Sequence, residues 1–192
     1  MDIDHDIARR IRELRAAHKL TLERLAEVSG VSRSTISAIE RVETSPTAAV
    51  LHKLCTALGV PMASLFSEEA KDAHQSPLAR HAMQPTWTDP ESGYVRRHVS
   101  PTGFATPLEL AEITFPAGKS VAFNSPSRSV VLHQLVWMLE GEMEVTVGDK
   151  TWRLQPGDCL SMVLDKPLAF RNPKRKPARY AVALTQKPAN TF

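Results

Sequence analysis

The spacing of apolar residues changes character once along this chain, and that change dictates how the chain must divide. In the first sixty-odd residues apolar side chains recur every three or four positions in stretches free of proline. Most of the 14 prolines lie beyond Ser76, among short alternating runs bounded by turns. The expectation is an all-α domain over residues 1–67, a polar linker over 68–84 and an all-β domain over 85–192.

Local signals fill in the helical half. Ile7, Ile11 and Leu14 stand four and three apart and define the buried side of a first helix, with Arg9, Arg12, Glu13 and Arg15 on the opposite side. Thr21 is placed to cap a second helix from Leu22 to Val28, whose core stripe is Leu22, Leu25, Ala26 and Val28. Gly30 supplies the positive φ that ends it. Ser32 then caps a third helix, Arg33 to about Arg41, with Ile36 and Ile39 inward and Arg33, Ser34 and Ser37 outward. Pro46 opens a fourth helix carrying Val50, Leu51, Leu54 and Leu58, and Pro61 begins a fifth with Met62, Leu65 and Phe66.

Five short helices, with Ala26, Gly30, Val31 and Ile36 spread across a tight turn, resemble the phage-repressor-like helix-turn-helix (Cro/C1, or XRE) family over residues 6–66. The resemblance implies that the helix opening at Ser32 enters the major groove of double-stranded DNA. Arg33, Ser34 and Ser37 are then nearest the base edges, and the Arg33 guanidinium suits a bidentate contact to guanine. Ser32, Thr35, Arg41 and Thr44 are the expected phosphate contacts. Two residues depart from the family pattern: Leu22 stands where Gln often bonds a phosphate, and Val42 where Gly commonly follows the recognition helix, so the loop there is expected to differ in shape. Glu40 is read as structural, paired with an arginine such as Arg10.

Charge adds less than the net +3 suggests. Residues 1–70 hold nine Lys and Arg against ten Asp and Glu, so any field at DNA must come from local clusters such as Arg9 to Arg15 and Arg33 with Arg41. Cys55 and Cys159 fall one in each half among apolar neighbours, which predicts buried thiols rather than a disulfide or a zinc site. The acidic start (Asp2, Asp4, Asp6) lacks a secretory h-region, and the apolar stretch Val130 to Leu139 is too short to span a bilayer. A cytoplasmic protein without membrane contact is expected.

The linker histidines His74 and His81 have no metal-ligand companions nearby, and Trp87 is expected to pack on the second domain. Strand-like runs follow at 94–99, 108–115, 130–139, 142–147, 151–154, 159–163, 169–172 and 179–184, separated by Gly and Pro turns, which predicts a small closed barrel or jelly roll. Leu139-Glu140-Gly141, then Leu154, Pro156, Gly157 and Asp158, then Phe170, Arg171 and Asn172 resemble the cupin barrel over residues 85–187. Cupins of the metal-dependent kind use three His and one Glu; here the Glu position holds Gln134, the paired His positions fall at Arg128 and Val130 or at Ser127 and Ser129, and the last falls at Leu168. None of these supplies an imidazole or carboxylate, so no metal or other cofactor is expected.

A barrel without metal still suits a small organic effector. Arg128, Gln134, Val136, Met138, Leu168 and Phe170 are the candidate lining residues, while Leu135, Trp137 and Leu139 face the other way, against another sheet or a dimer partner. The basic run Arg171 to Arg179 reads as a solvated hairpin. The chain is thus expected to be a homodimeric, non-enzymatic regulator that reads an inverted repeat and responds to the effector. Two other readings stay open: a cupin oxygenase or isomerase tethered to a DNA-binding head, and a cupin used for dimerisation alone.

Overall fold

The computed structural model describes residues 3–66, 76–101, 107–124 and 130–188. Its helical part consists of α1 (Ile3–Ala17), α2 (Leu22–Ser29), α3 (Arg33–Glu40) and α4 (Ala48–Ala57), followed by a 3-10 turn, Met62–Leu65. The expected fifth helix is present only as that single 3-10 turn.

The caps form as the sequence predicts. Thr21 Oγ1 accepts from Arg24 N–H at 3.1 Å, Ser32 Oγ accepts from Thr35 N–H at 3.1 Å, and Gly30 closes α2 at φ 65°. α4 starts at Ala48, two residues after the expected opening at Pro46, with Thr47 as its cap. Ile7, Ile11, Leu25, Ile36, Ile39, Leu51, Leu54 and Leu58 are at most 1% exposed, and burying each contributes roughly 1.5–3 kcal/mol. Val28, expected in the α2 stripe, is exposed; at about 100° per residue it points well away from the direction shared by Leu22, Leu25 and Ala26.

Beyond the helices stand two sheets. The larger has six strands in the order β1 (Thr86–Thr88), β2 (Val95–His98), β3 (Leu108–Phe115), β10 (Ala178–Pro188), β5 (Val130–Glu140), β8 (Cys159–Val163). The smaller runs β4 (Ser120–Phe123), β9 (Leu168–Arg171), β6 (Met143–Val147), β7 (Lys150–Leu154). Every pairing among the described strands is antiparallel, and the two sheets do not close into one hydrogen-bonded barrel as the closed-barrel expectation required. β1 and β4 were not anticipated, being only three and four residues long.

Alternation along β5 is strict: Leu132, Gln134, Val136 and Met138 are buried, while Leu135 and Trp137 are 44% and 52% exposed. Gly141, at φ 76°, ends this strand where a Cβ would lie 2.9 Å from Ala178 Cα, so no side chain fits. Cys159 is exposed on the outer surface of β8, against the expectation of two buried thiols, because the same alternation turns it outward; Cys55 is buried.

The helical and sheet parts share a packed boundary. Trp87, 1% exposed, lies between Phe66 (6.3 Å between ring centroids) and Tyr94 (5.8 Å). Asp89, also buried, accepts from Ala48 N–H at the first turn of α4 at 2.9 Å and from Ser92 N–H at 2.9 Å. A carboxylate there meets two of the donors that a helix start leaves unsatisfied or a turn must satisfy. His81 is exposed in a short 3-10 turn, and His74 lies outside the described residues.

Candidate functional site

Two places could carry function: the outward edge of α3, and a cavity inside the sheets.

α3 rests its Ile36 and Ile39 side on the core, which leaves Ser32, Arg33 and Ser34 exposed and Thr35 and Ser37 half-buried at its other edge. Ser32 Oγ lies 2.9 Å from Ser34 Oγ and 2.7 Å from Thr35 Oγ1, so three hydroxyls cluster at the helix start, beside backbone N–H groups that no residue within the helix can satisfy. Arg41 and Thr44 are exposed just past the helix end. The seven expected DNA-contacting residues run from the cap of α3 to the loop after it, with Thr35 and Ser37 half-buried and the other five exposed.

Arg33 does not extend alone into solvent. Its Nε donates to Glu23 Oε1 on α2 at 2.5 Å, which leaves the two terminal nitrogens of the guanidinium directed outward. The Glu23 carboxyl is held below its ordinary pKa, first by a bond from its own backbone N–H and then by Arg33. Glu23 was not singled out from sequence, since ten positions separate it from Arg33. Arg41 is similarly paired with Glu43 at 2.8 Å.

Val42 adopts φ 61°, in the left-handed region that glycine favours. Glu43 N–H reaches back to Ala38 O at 2.9 Å and Val42 N–H to Ile39 O at 2.9 Å, closing α3 in the usual left-handed manner. Glu40 pairs with Arg15, not Arg10: Arg15 Nε and Nη2 donate to its two carboxylate oxygens at 2.7 and 2.8 Å. Arg10 turns the other way, to Ser64 O at 3.1 Å and Glu13 at 3.4 Å. Arg12 bonds Glu40 O, so Arg10, Arg12 and Arg15 tie α1 to other elements, while Arg9 pairs with Asp6 and Glu13 within α1.

The cavity lies between the inner faces of the two sheets and is walled on one side by the helical part. His52 and Cys55 of α4, with Val60, Pro61 and Met62 after it, line it together with sheet residues. His52 packs on Phe123 of β4 with ring centroids 4.9 Å apart. Of the candidate lining residues, Gln134, Leu168 and Phe170 do line the cavity; Val136 and Met138 are buried deeper in the core, and Arg128 lies outside the described residues. Tyr94, Arg96 and Glu109 line it too and were not foreseen, because β2 and β3 carry no motif that marks them. Burial with little compensation raises the Glu109 carboxyl to about 7 and depresses His98, on the same side of β2 as Arg96, to about 4.

At two of the four metal-ligand positions of a metal-dependent cupin the side chains are the amide of Gln134 and the aliphatic chain of Leu168, while the others, among residues 127–130, have no described side chains. These residues do not fit such a metal. Among the described residues, no helix is long and apolar enough to cross a membrane. Three residues of the basic run near Lys174 meet acidic partners: Arg171 meets Glu144 at 3.0 Å, Lys174 meets Glu142 at 3.0 Å, and Arg179 meets Glu140 at 2.5 Å.

Residues 11–65 match the helix-turn-helix family HTH_3, and residues 112–184 match the cupin-domain family Cupin_2. The chain is 26% identical over 163 residues to the HTH-type transcriptional regulator SutR of Escherichia coli, covering 84% of each. Its helical part is 35% identical over 69 residues to the control protein C.SmaI of Serratia marcescens, covering 82% of that protein and 36% of this one. A solved HTH_3 family transcriptional regulator from Vibrio cholerae superimposes with a TM-score of 0.75 at 24% identity, over 95% of this chain and 96% of that one.

Proposed function

The chain belongs to the XRE-type helix-turn-helix transcriptional regulators that carry a C-terminal cupin domain, and from that premise we propose that it recognises specific duplex DNA through α3 and answers to a small organic effector held in the cupin cavity. The observation that carries the first half is the edge of α3, where clustered hydroxyls and an outward guanidinium are presented while Ile36 and Ile39 bury the opposite side. In this reading Arg33 contacts a base, with Ser34 and Ser37 beside it. Ser32, Thr35, Arg41 and Thr44 hold phosphates. No catalytic role is assigned, and the working division of the chain is a head over 1–67, a linker over 68–84 and a cupin over 85–192.

The working unit is a homodimer. Leu108 and Leu110 of β3, Leu135 and Trp137 of β5 are all more than a third exposed, and the outer rows Leu110, Ala183, Leu135 and Ala181, Trp137, Cys159 align the last three of them across neighbouring strands. A contiguous apolar face of that kind suits a second copy of the chain. Two recognition helices set about 34–36 Å apart would then read an inverted repeat.

Binding of selected duplexes by wild type and Arg33→Ala tests the base-reading role. The variant is expected to lose preference at one base pair per half-site, worth roughly 1–3 kcal/mol. Uniform weakening across all sequences would move that side chain to phosphate instead.

A further inference from the structure

Opposite charges stand apart on one wall of the cavity, both on the inner face of the larger sheet, without meeting. Arg96 on β2 pairs in register with Ile113, whereas Glu109 lies four residues further along β3, roughly 13 Å of strand at about 3.3 Å per residue. No ion pair joins the two side chains, and Arg96 Nε and Glu109 Oε2 are both buried without a hydrogen-bond partner. A buried polar atom left unmatched costs about 1–3 kcal/mol, and more when charged. Gln134, 7% exposed, adds an amide on the same inner surface, one β10 residue away from Glu109: Leu184 pairs with both.

Much of the remaining wall is apolar, formed by Phe123, Phe170 and Leu168 of the smaller sheet and by Cys55 and Met62 of the helical part, with His52, Tyr94 and Tyr180 also lining it. The cavity volume is about 90 Å³, where one water needs roughly 10–15 Å³ on the same measure, so a compact organic molecule fits and a nucleotide does not. An acid alone would leave Glu109 unmatched, and an amine alone would leave Arg96 unmatched. We infer, on the effector reading above, that the cavity takes a small amphoteric molecule of the amino-acid class, its carboxylate on Arg96, its ammonium on Glu109 and its apolar part against the wall shared with α4. Such a molecule touches the cupin and the DNA-binding head at once, which gives its binding a direct route to the placement of that head.

The test is isothermal titration of the full chain with the standard amino acids, each compared with its deaminated acid and its decarboxylated amine. At least one amino acid is expected to bind about tenfold or more tightly than both of its analogues. Arg96→Gln should erase its advantage over the amine, and Glu109→Gln its advantage over the acid, with thermal melts confirming that both variants fold. Equal affinity for an amino acid and its deaminated acid, or no amino acid binding to folded wild type, overturns the inference. Repeating the titrations with operator DNA separates the two ideas. Preferred binding of an amino acid with unchanged DNA affinity upholds the ligand class and removes the effector role; a singly charged or neutral molecule that does shift DNA affinity removes the class and leaves the role standing.

Discussion

Val42 holds a left-handed backbone with a β-branched side chain, which costs roughly 1–2 kcal/mol that glycine would not incur. Val42→Gly is therefore expected to stabilise the helical domain by roughly 0.5–1 kcal/mol in a denaturant titration, after the greater chain entropy of unfolded glycine is set against it. An unchanged or lowered midpoint would mean that the half-buried valine side chain outweighs the strain. Glu109 and His98 act on stability in opposite directions. Between its ordinary value and about 7, Glu109 is protonated in the fold and ionised when unfolded, so its contribution falls as pH rises. Between about 4 and its ordinary value, His98 is neutral in the fold and protonated when unfolded, so its contribution falls as pH drops. Arg96 is the charge that acts on both, and in the overlapping window their slopes, each at most about 1.4 kcal/mol per pH unit, largely cancel. Glu109→Gln should expose the histidine slope and make stability fall steeply from pH 6.5 to 4.5, measured by melts across that range; a variant as flat as wild type would contradict the assignment. At this scale Thr21, Ser32 and Gly30 were legible because a cap acts within three residues of its helix. The partners of Glu40, Arg33 and Glu109 were not, because they depend on how separate elements meet.

Among the elements, α3 and its two caps form the proposed recognition unit. Ser32→Ala removes the acceptor for Thr35 N–H and is expected to cost about 1 kcal/mol of stability while weakening binding to all duplexes alike. A change in sequence preference would show that Ser32 touches a base. In the sheet, Gly141→Ala brings a Cβ against Ala178 and should cost more than 2 kcal/mol, about the scale of added backbone strain and overpacking together. Helices α1 to α4 and eight of the strands were legible from periodicity and turn residues. β1 and β4 were not, since three- and four-residue strands carry too little alternation to be seen. The last helical segment is a single 3-10 turn, Met62–Leu65, whose Leu65 is 1% exposed.

For the molecule as a whole, the chain order of head and cupin was plain from composition, but their mutual packing was not. The sequence gives no sign that Asp89 caps α4 or that α4 walls the cupin cavity, because both are contacts between residues more than 40 positions apart. The apolar outer face predicts that Trp137→Glu turns a dimer into a monomer in analytical ultracentrifugation and weakens operator binding by roughly 10²-fold or more, the loss expected when two linked half-site contacts become one. A variant that stays dimeric would place the subunit contact elsewhere. The central claim, that the edge of α3 selects duplex sequence, is tested most directly by enriching a randomised duplex library on the purified protein at physiological salt, with and without the amino-acid panel. The expected result is an inverted repeat with half-sites one helical turn apart, in which one base pair loses its enrichment with Arg33→Ala; a pool that remains random in every condition would contradict it.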